Sequence, residues 1–189
     1  MRQLVIVMLI ACACALCGAF VAAADTPAGP ATTTDAAAAA ATATPQLPHQ
    51  EVQRLIDRYR HRTWHWQRVM QRPLTLTLSH PPGDPLKRIR VWKRIALRLQ
   101  RVAMHPPHLR AWTCIHRYEG AWTDTGAPYY GGLQMDLGFQ RTYGAGLLAH
   151  KGTADHWTPL EQMWTAERAV RAGRGFWPWP NTGRLCGVL

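Results

Sequence analysis

Residues 112–135 read WTCIHRYEGAWTDTGAPYYGGLQM. The stretch contains Trp112, Ile115 and Tyr118, and it follows the helix-breaking His105-Pro106-Pro107-His108. A helix is therefore expected from about His108 to Glu119, with Gly120 as its stop. Residues 121–138 are rich in Gly, Tyr and turn formers, which predicts a small β-hairpin. A helix that runs into a hairpin, in a chain patterned elsewhere mostly for helices, makes the expected fold mainly α, of the α+β kind.

Downstream, Leu160 to Ala172 is expected to form another helix. The tail from Gly173 to Leu189 carries Phe176, Trp177 and Trp179 ahead of Cys186. Upstream, residues 49–107 form a basic helical region. Val52, Leu55, Ile56, Tyr59, Trp66 and Met70 mark an apolar face over residues 51–70, and Arg54, Arg58, His61, His65 and Arg68 mark a second, basic stripe. Pro73 ends the pattern. Leu74, Leu76 and Leu78 then alternate with Thr75 and Thr77, which suggests a short half-buried strand. Residues 79–85 form a turn, with Asp84 as N-cap and Pro85 at the first helical position. In residues 86–104, Trp92, Ile95, Leu99 and Val102 face one way. Lys87, Arg90, Arg94, Arg98 and Arg101 face roughly the other.

The first 24 residues have the form of an export signal. Arg2 precedes an apolar run from Leu4 to Val21, and Ala22 to Ala24 offer a small-residue cleavage site. An uncleaved anchor or a lipid-modified Cys12 are the alternatives. Residues 25–48 are Ala, Thr and Pro with little else that is bulky. They are expected to form a disordered linker. An exported chain would lose Cys12, Cys14 and Cys17 with its signal and keep Cys114 and Cys186. These two most simply form one disulfide, closing a loop of about 72 residues. The expected location is outside the cytoplasm, secreted or associated with the cell wall.

The net charge of +11 is concentrated in one region. Residues 49–110 hold 14 Arg and Lys against Glu51, Asp57 and Asp84, whereas residues 111–189 hold seven against six acids. Residues 87–101 could therefore contact an anionic wall polymer or membrane surface, or be only a solvated helix face. No nucleic-acid motif accompanies the charge, so nucleic acid is not an expected partner.

Glu119 is the leading candidate for chemistry. The C-terminal end of a helix is partially negative, and aromatics nearby limit hydration. Both disfavour an ionised carboxylate, and a general acid must hold its proton near neutral pH. A surface glutamate paired with Arg117 is the alternative on residue chemistry alone. The surroundings add more. Cys114 and Glu119 are followed by Trp122, then Tyr129-Tyr-Gly-Gly-Leu-Gln134, then Glu161-Gln162, Ala166-Glu167-Arg168 and Cys186. This order resembles the catalytic domain of the resuscitation-promoting factors, transglycosylase-like members of the lysozyme superfamily. The resemblance covers residues 111–189. Cys114 stands five residues before the glutamate, where the family usually places cysteine directly before it.

The resemblance implies a lysozyme-like domain over residues 108–189 that cleaves MurNAc–GlcNAc β-1,4 bonds of peptidoglycan. Glu119 would be the catalytic acid and base, with no metal or other cofactor, and the protein would act as a monomer. Substrate would be met by Gln134, Tyr129, Tyr130, Gly132 and Asp136. Gly131 and Gly132 would let sugar rings approach the backbone. The tyrosines would offer apolar faces with polar tips. A hydrolase needs a second carboxylate, and Asp136 is the first candidate for it. Asp124 reads as a turn residue, and Glu167 as a surface partner of Arg171. A lytic transglycosylase needs only Glu119. His61 and His65 are four apart on a helix but lack an evident third metal ligand. Trp177 and Trp179 could line a glycan cleft or close the core. A wall-binding module without turnover is the competing function.

Overall fold

The computed structural model describes residues 47–189. The expected signal segment 1–24, and nearly all of the linker 25–48, lie outside these residues. The described residues all fall in one compact unit. Among the described residues, seven α-helices and one two-stranded antiparallel sheet make up most of the regular structure. The fold is mainly α, with a small hairpin.

Helix α1 (His49–Val69) and helix α2 (Pro85–Ala103) pack along their lengths and run in the same direction. Val52 and Ile56, early in α1, meet Trp92 and Ile89, early in α2. Val69 and Met70 at the end of α1 meet Ala103 at the end of α2. Two consecutive helices can be parallel only if the chain between them returns the full length of the first. Residues 70–84 make that return, and this corrects the expected strand at Leu74–Leu78. The alternation of Leu and Thr marks an extended crossover with no partner strand. Side chains of α1 take the strand's place. Trp64 Nε1 donates to the Thr75 carbonyl at 2.7 Å. The amide of Gln67 donates to Thr75 Oγ1 and accepts from Thr75 N. Asp84 caps α2 as expected, accepting from Leu86 N at 2.8 Å. Both basic stripes are exposed.

The rest of the chain builds a second core. Helix α3 (Leu109–Glu119) buries Trp112 and Ile115; Tyr118 is exposed. Strands β1 (Tyr129–Tyr130) and β2 (Met135–Asp136) pair Tyr129 with Asp136 and Tyr130 with Met135. Two short helices, α4 (Leu137–Tyr143) and α5 (Ala145–Lys151), follow. Helix α6 (Pro159–Ala169) opens on a capping box between Thr158 and Glu161. It widens into a π-helical turn over Val170–Arg174 and breaks at Gly173, whose φ is 86°, so the helical path reaches Ala172 as expected while its α-helical part ends at Ala169. Helix α7 (Pro180–Leu185) precedes Cys186.

Helix α6 is the central element. Trp164 Nε1 donates to the Ala103 carbonyl at 2.8 Å, which docks α2 on it. Glu167 is almost fully buried, and the expected surface pair with Arg171 is not formed by its carboxylate. Glu167 Oε1 accepts from Trp112 Nε1 and from His108 N, both at 2.8 Å. Arg171 instead reaches the Glu167 carbonyl. Glu167 thus holds the start of α3. A carboxylate buried at the foot of a helix is where free N–H groups need an acceptor.

Candidate active site

Cys114 and Cys186 are disulfide-bonded, with Cα atoms 5.9 Å apart. Trp112 contacts Phe176 and Trp179 edge-on or tilted in the same core. These contacts lay α7 against α3, and they bring Thr182 to Glu119. Glu119 is the last residue of α3 and is half-buried. Its Oε1 accepts a hydrogen bond from Thr182 Oγ1 at 2.6 Å.

The backbone turns sharply at Gly120, whose φ of 151° and ψ of −172° suit only glycine. A Cβ there would lie 3.1 Å from Asp124 Oδ2 and 3.3 Å from Gln134 Nε2. The hairpin therefore presses two polar side chains against the residue that follows Glu119. Gln134 has φ 48° and is held firmly. Its Nε2 donates to Asp124 Oδ2 at 2.7 Å and to the Gly131 carbonyl at 3.1 Å. Asp124 also accepts from Gly126 N through Oδ1, and its carbonyl accepts from Gly131 N. Asp124 is a turn residue, as expected, and it also fixes Gln134. With Nε2 committed to the protein, Gln134 would meet a ligand through Oε1.

The other expected contacts are distributed differently. Tyr129 is half exposed, while Tyr130 packs against the core. Gly131 and Gly132 are both buried, so it is the protein, not an open groove, that approaches them closely. A Cβ on Gly131 would lie 2.5 Å from Gln162 Oε1, and one on Gly132 would lie 2.5 Å from His116 Nδ1. The side chain of Asp136 accepts from Phe139 N at 2.7 Å and caps α4. That bond gives Asp136 a structural role that the sequence pattern did not suggest. His116 stacks on Trp122, with ring centroids 3.9 Å apart. Trp177 is exposed, whereas Trp179 is buried and donates to the Leu133 carbonyl. His61 and His65 lie against Trp64 and Trp66.

Thr182 is the residue that sequence reasoning missed. A signal for it was present. Glu119 stands five residues beyond Cys114, and Thr182 stands four before Cys186. Two antiparallel helices joined at those cysteines place the pair opposite one another. No family model, curated protein or solved structure matches the chain.

Proposed function

We propose that this protein is an exported, peptidoglycan-cleaving enzyme that acts on MurNAc–GlcNAc β-1,4 bonds, with Glu119 as general acid and base. The observation that carries the proposal is the convergence at one corner of Glu119, the Thr182 hydroxyl and the anchored Gln134. Each comes from a different element. The resemblance of residues 111–189 to the transglycosylase-like domains supplies the substrate class.

In this proposal Thr182 orients the carboxyl through Oε1, and Oε2 carries the proton. Glu119 gives that proton to the glycosidic oxygen as the C1–O bond breaks. The same carboxylate then takes the proton of the sugar's C6 hydroxyl while that oxygen closes on C1. The product is a 1,6-anhydro end, and no water is consumed. One carboxyl serves both proton transfers. Asp124 acts as a positioning residue, since it touches Gln134 and not the reacting atoms. The exposed row Lys87, Arg90, Arg94, Arg98 and Arg101 favours a second role, retention on an acidic wall polymer.

Glu119→Gln tests the enzyme against a wall-binding module without turnover. Loss of muropeptide release from purified peptidoglycan, with retention on the wall intact, is expected of the enzyme. Mass spectrometry of the products identifies the acceptor: anhydro ends without label from oxygen-18 water support the single-carboxylate mechanism. Labelled reducing ends would require a hydrolase.

A further inference from the structure

A cavity of about 1030 Å³ lies between the end of α1, the segment that follows it, α5 and α6. It shares no lining residue with the corner around Glu119. Its floor is apolar, with Val69 and Leu147 buried and Leu160 half-buried. Its rim carries Arg68, Arg72 and Arg168. Lys151 also lines it but is paired with Glu161 at 2.7 Å, and Glu161 is the one carboxylate in the lining. Among the described residues, the three arginines form no ion pair. Arg72 lies over the Trp164 ring, 6.0 Å from its centroid, and guanidinium groups gathered above an apolar floor suit an anion.

One of the arginines is held in place. Arg168 Nη1 donates to Gln71 Oε1 at 2.7 Å, and Gln71 Nε2 donates to Thr165 Oγ1 at 2.7 Å. Gln71 follows α1 with φ 51°, a left-handed conformation that usually falls to glycine after a helix. Glycine would relieve the backbone but would lack the side chain that orients Arg168. A residue in this conformation whose side chain orients an arginine at the edge of a cavity points to a ligand.

We propose that this cavity binds an amphiphilic anion: a phosphate monoester head on an aliphatic chain. Arg68, Arg72 and Arg168 take the head, and Val69, Leu147 and Leu160 enclose the chain. The volume of about 1030 Å³ lies just above the range of about 300–1,000 Å³ usual for small-molecule sites. The site is independent of the chemistry assigned to Glu119, and its occupancy is unaffected by Glu119→Gln.

The test is calorimetric titration of the full chain with decyl phosphate below its micelle concentration. Inorganic phosphate and uncharged decyl glucoside are the comparison ligands. Saturable one-to-one binding of decyl phosphate is expected, with each comparison ligand at least about tenfold weaker. Arg72→Gln, at an exposed position, should weaken binding by about tenfold, the usual loss for one charge-assisted hydrogen bond. Gln71→Gly should weaken it as well, without lowering the melting temperature. Equal affinity for inorganic phosphate or for decyl glucoside would overturn the proposal, as would no saturable binding. Unchanged affinity in both variants would do the same.

Discussion

Thr182 Oγ1 donates to Glu119 Oε1 at 2.6 Å across the interface between α7 and α3. A carboxyl at a helix end has rotamers to spare, and this bond selects one. Thr182→Val keeps the shape and removes the donor. Muropeptide release is expected to fall by about tenfold or more, the usual cost of one hydrogen bond to a charged group. Thr182→Ser should stay close to the parent. Equal activity in all three proteins would show that Thr182 does not position the acid.

The Cys114–Cys186 bond closes a loop of 72 residues. Cross-linking a loop of this length stabilises by roughly 4 kcal/mol in the chain-entropy model. Reduction, or replacement of both cysteines by alanine, should lower the melting temperature by many degrees. It should also lower activity at temperatures where the protein is still folded, because α7 carries Thr182. Thermal melting and rate measurements on the same samples separate the two effects.

Glu167 gives the sharpest stability prediction. Its buried carboxylate accepts from Trp112 Nε1 and His108 N. Glu167→Leu would leave both donors without a partner, at a cost of about 2–4 kcal/mol. Urea denaturation should show the midpoint shift with the slope unchanged.

Two glycines make a matched pair. Gly131 has φ 73°, and a Cβ there would meet the side chain of Gln162 at 2.5 Å. Gln162 cannot move freely, since its Nε2 donates to the carbonyls of Trp122 and Ala154. Gly131→Ala should destabilise by about 1–3 kcal/mol and displace the hairpin. Gly146, within α5, faces open space: a Cβ there would meet nothing within 4 Å. Gly146→Ala should be neutral or stabilising by up to about 1 kcal/mol. Melting curves of the two variants check both signs.

The row on α2 predicts a salt-dependent association. Replacing Arg90, Arg94 and Arg98 by glutamine should lower retention on walls that carry acidic polymer. It should leave cleavage of short soluble glycans intact. Retention by the parent should fall steeply as ionic strength rises past the point where the screening length drops below about 8 Å. Retention that ignores both salt and substitution would reduce the row to a solvated face.

Much of the helical frame was legible because local chemistry decides it. Asp84 followed by Pro85, the Gly120 stop and the apolar stripes of α1 and α2 are local signals, and each is found where expected. The hairpin was legible too, through the turn formers between Trp122 and Leu137. Leu74 to Leu78 misled because alternation marks an extended chain without saying what it pairs with. Here it pairs with indole and amide side chains of a helix. Glu167 misled in another way. Its spacing to Arg171 fits a surface pair, and only the distant Trp112 and His108 make it an interior acceptor. Helices α4, α5 and α7 are six or seven residues long, too short for periodicity to register. Cavities formed between distant segments, such as the one bordered by Gln71 and Arg168, leave no local pattern at all.

The parallel course of α1 and α2 sets a reach. The far end of α1 is packed on α6 through Met70 and Trp164, so its start, at Pro48, lies at the opposite end of a rod of 21 residues. At 1.5 Å per residue that rod is about 30 Å long. It is stiffened along its whole length by α2 on one side and by the returning chain on another. The described chain therefore begins at the tip of a fixed arm, about 30 Å from the place where α1 meets α6.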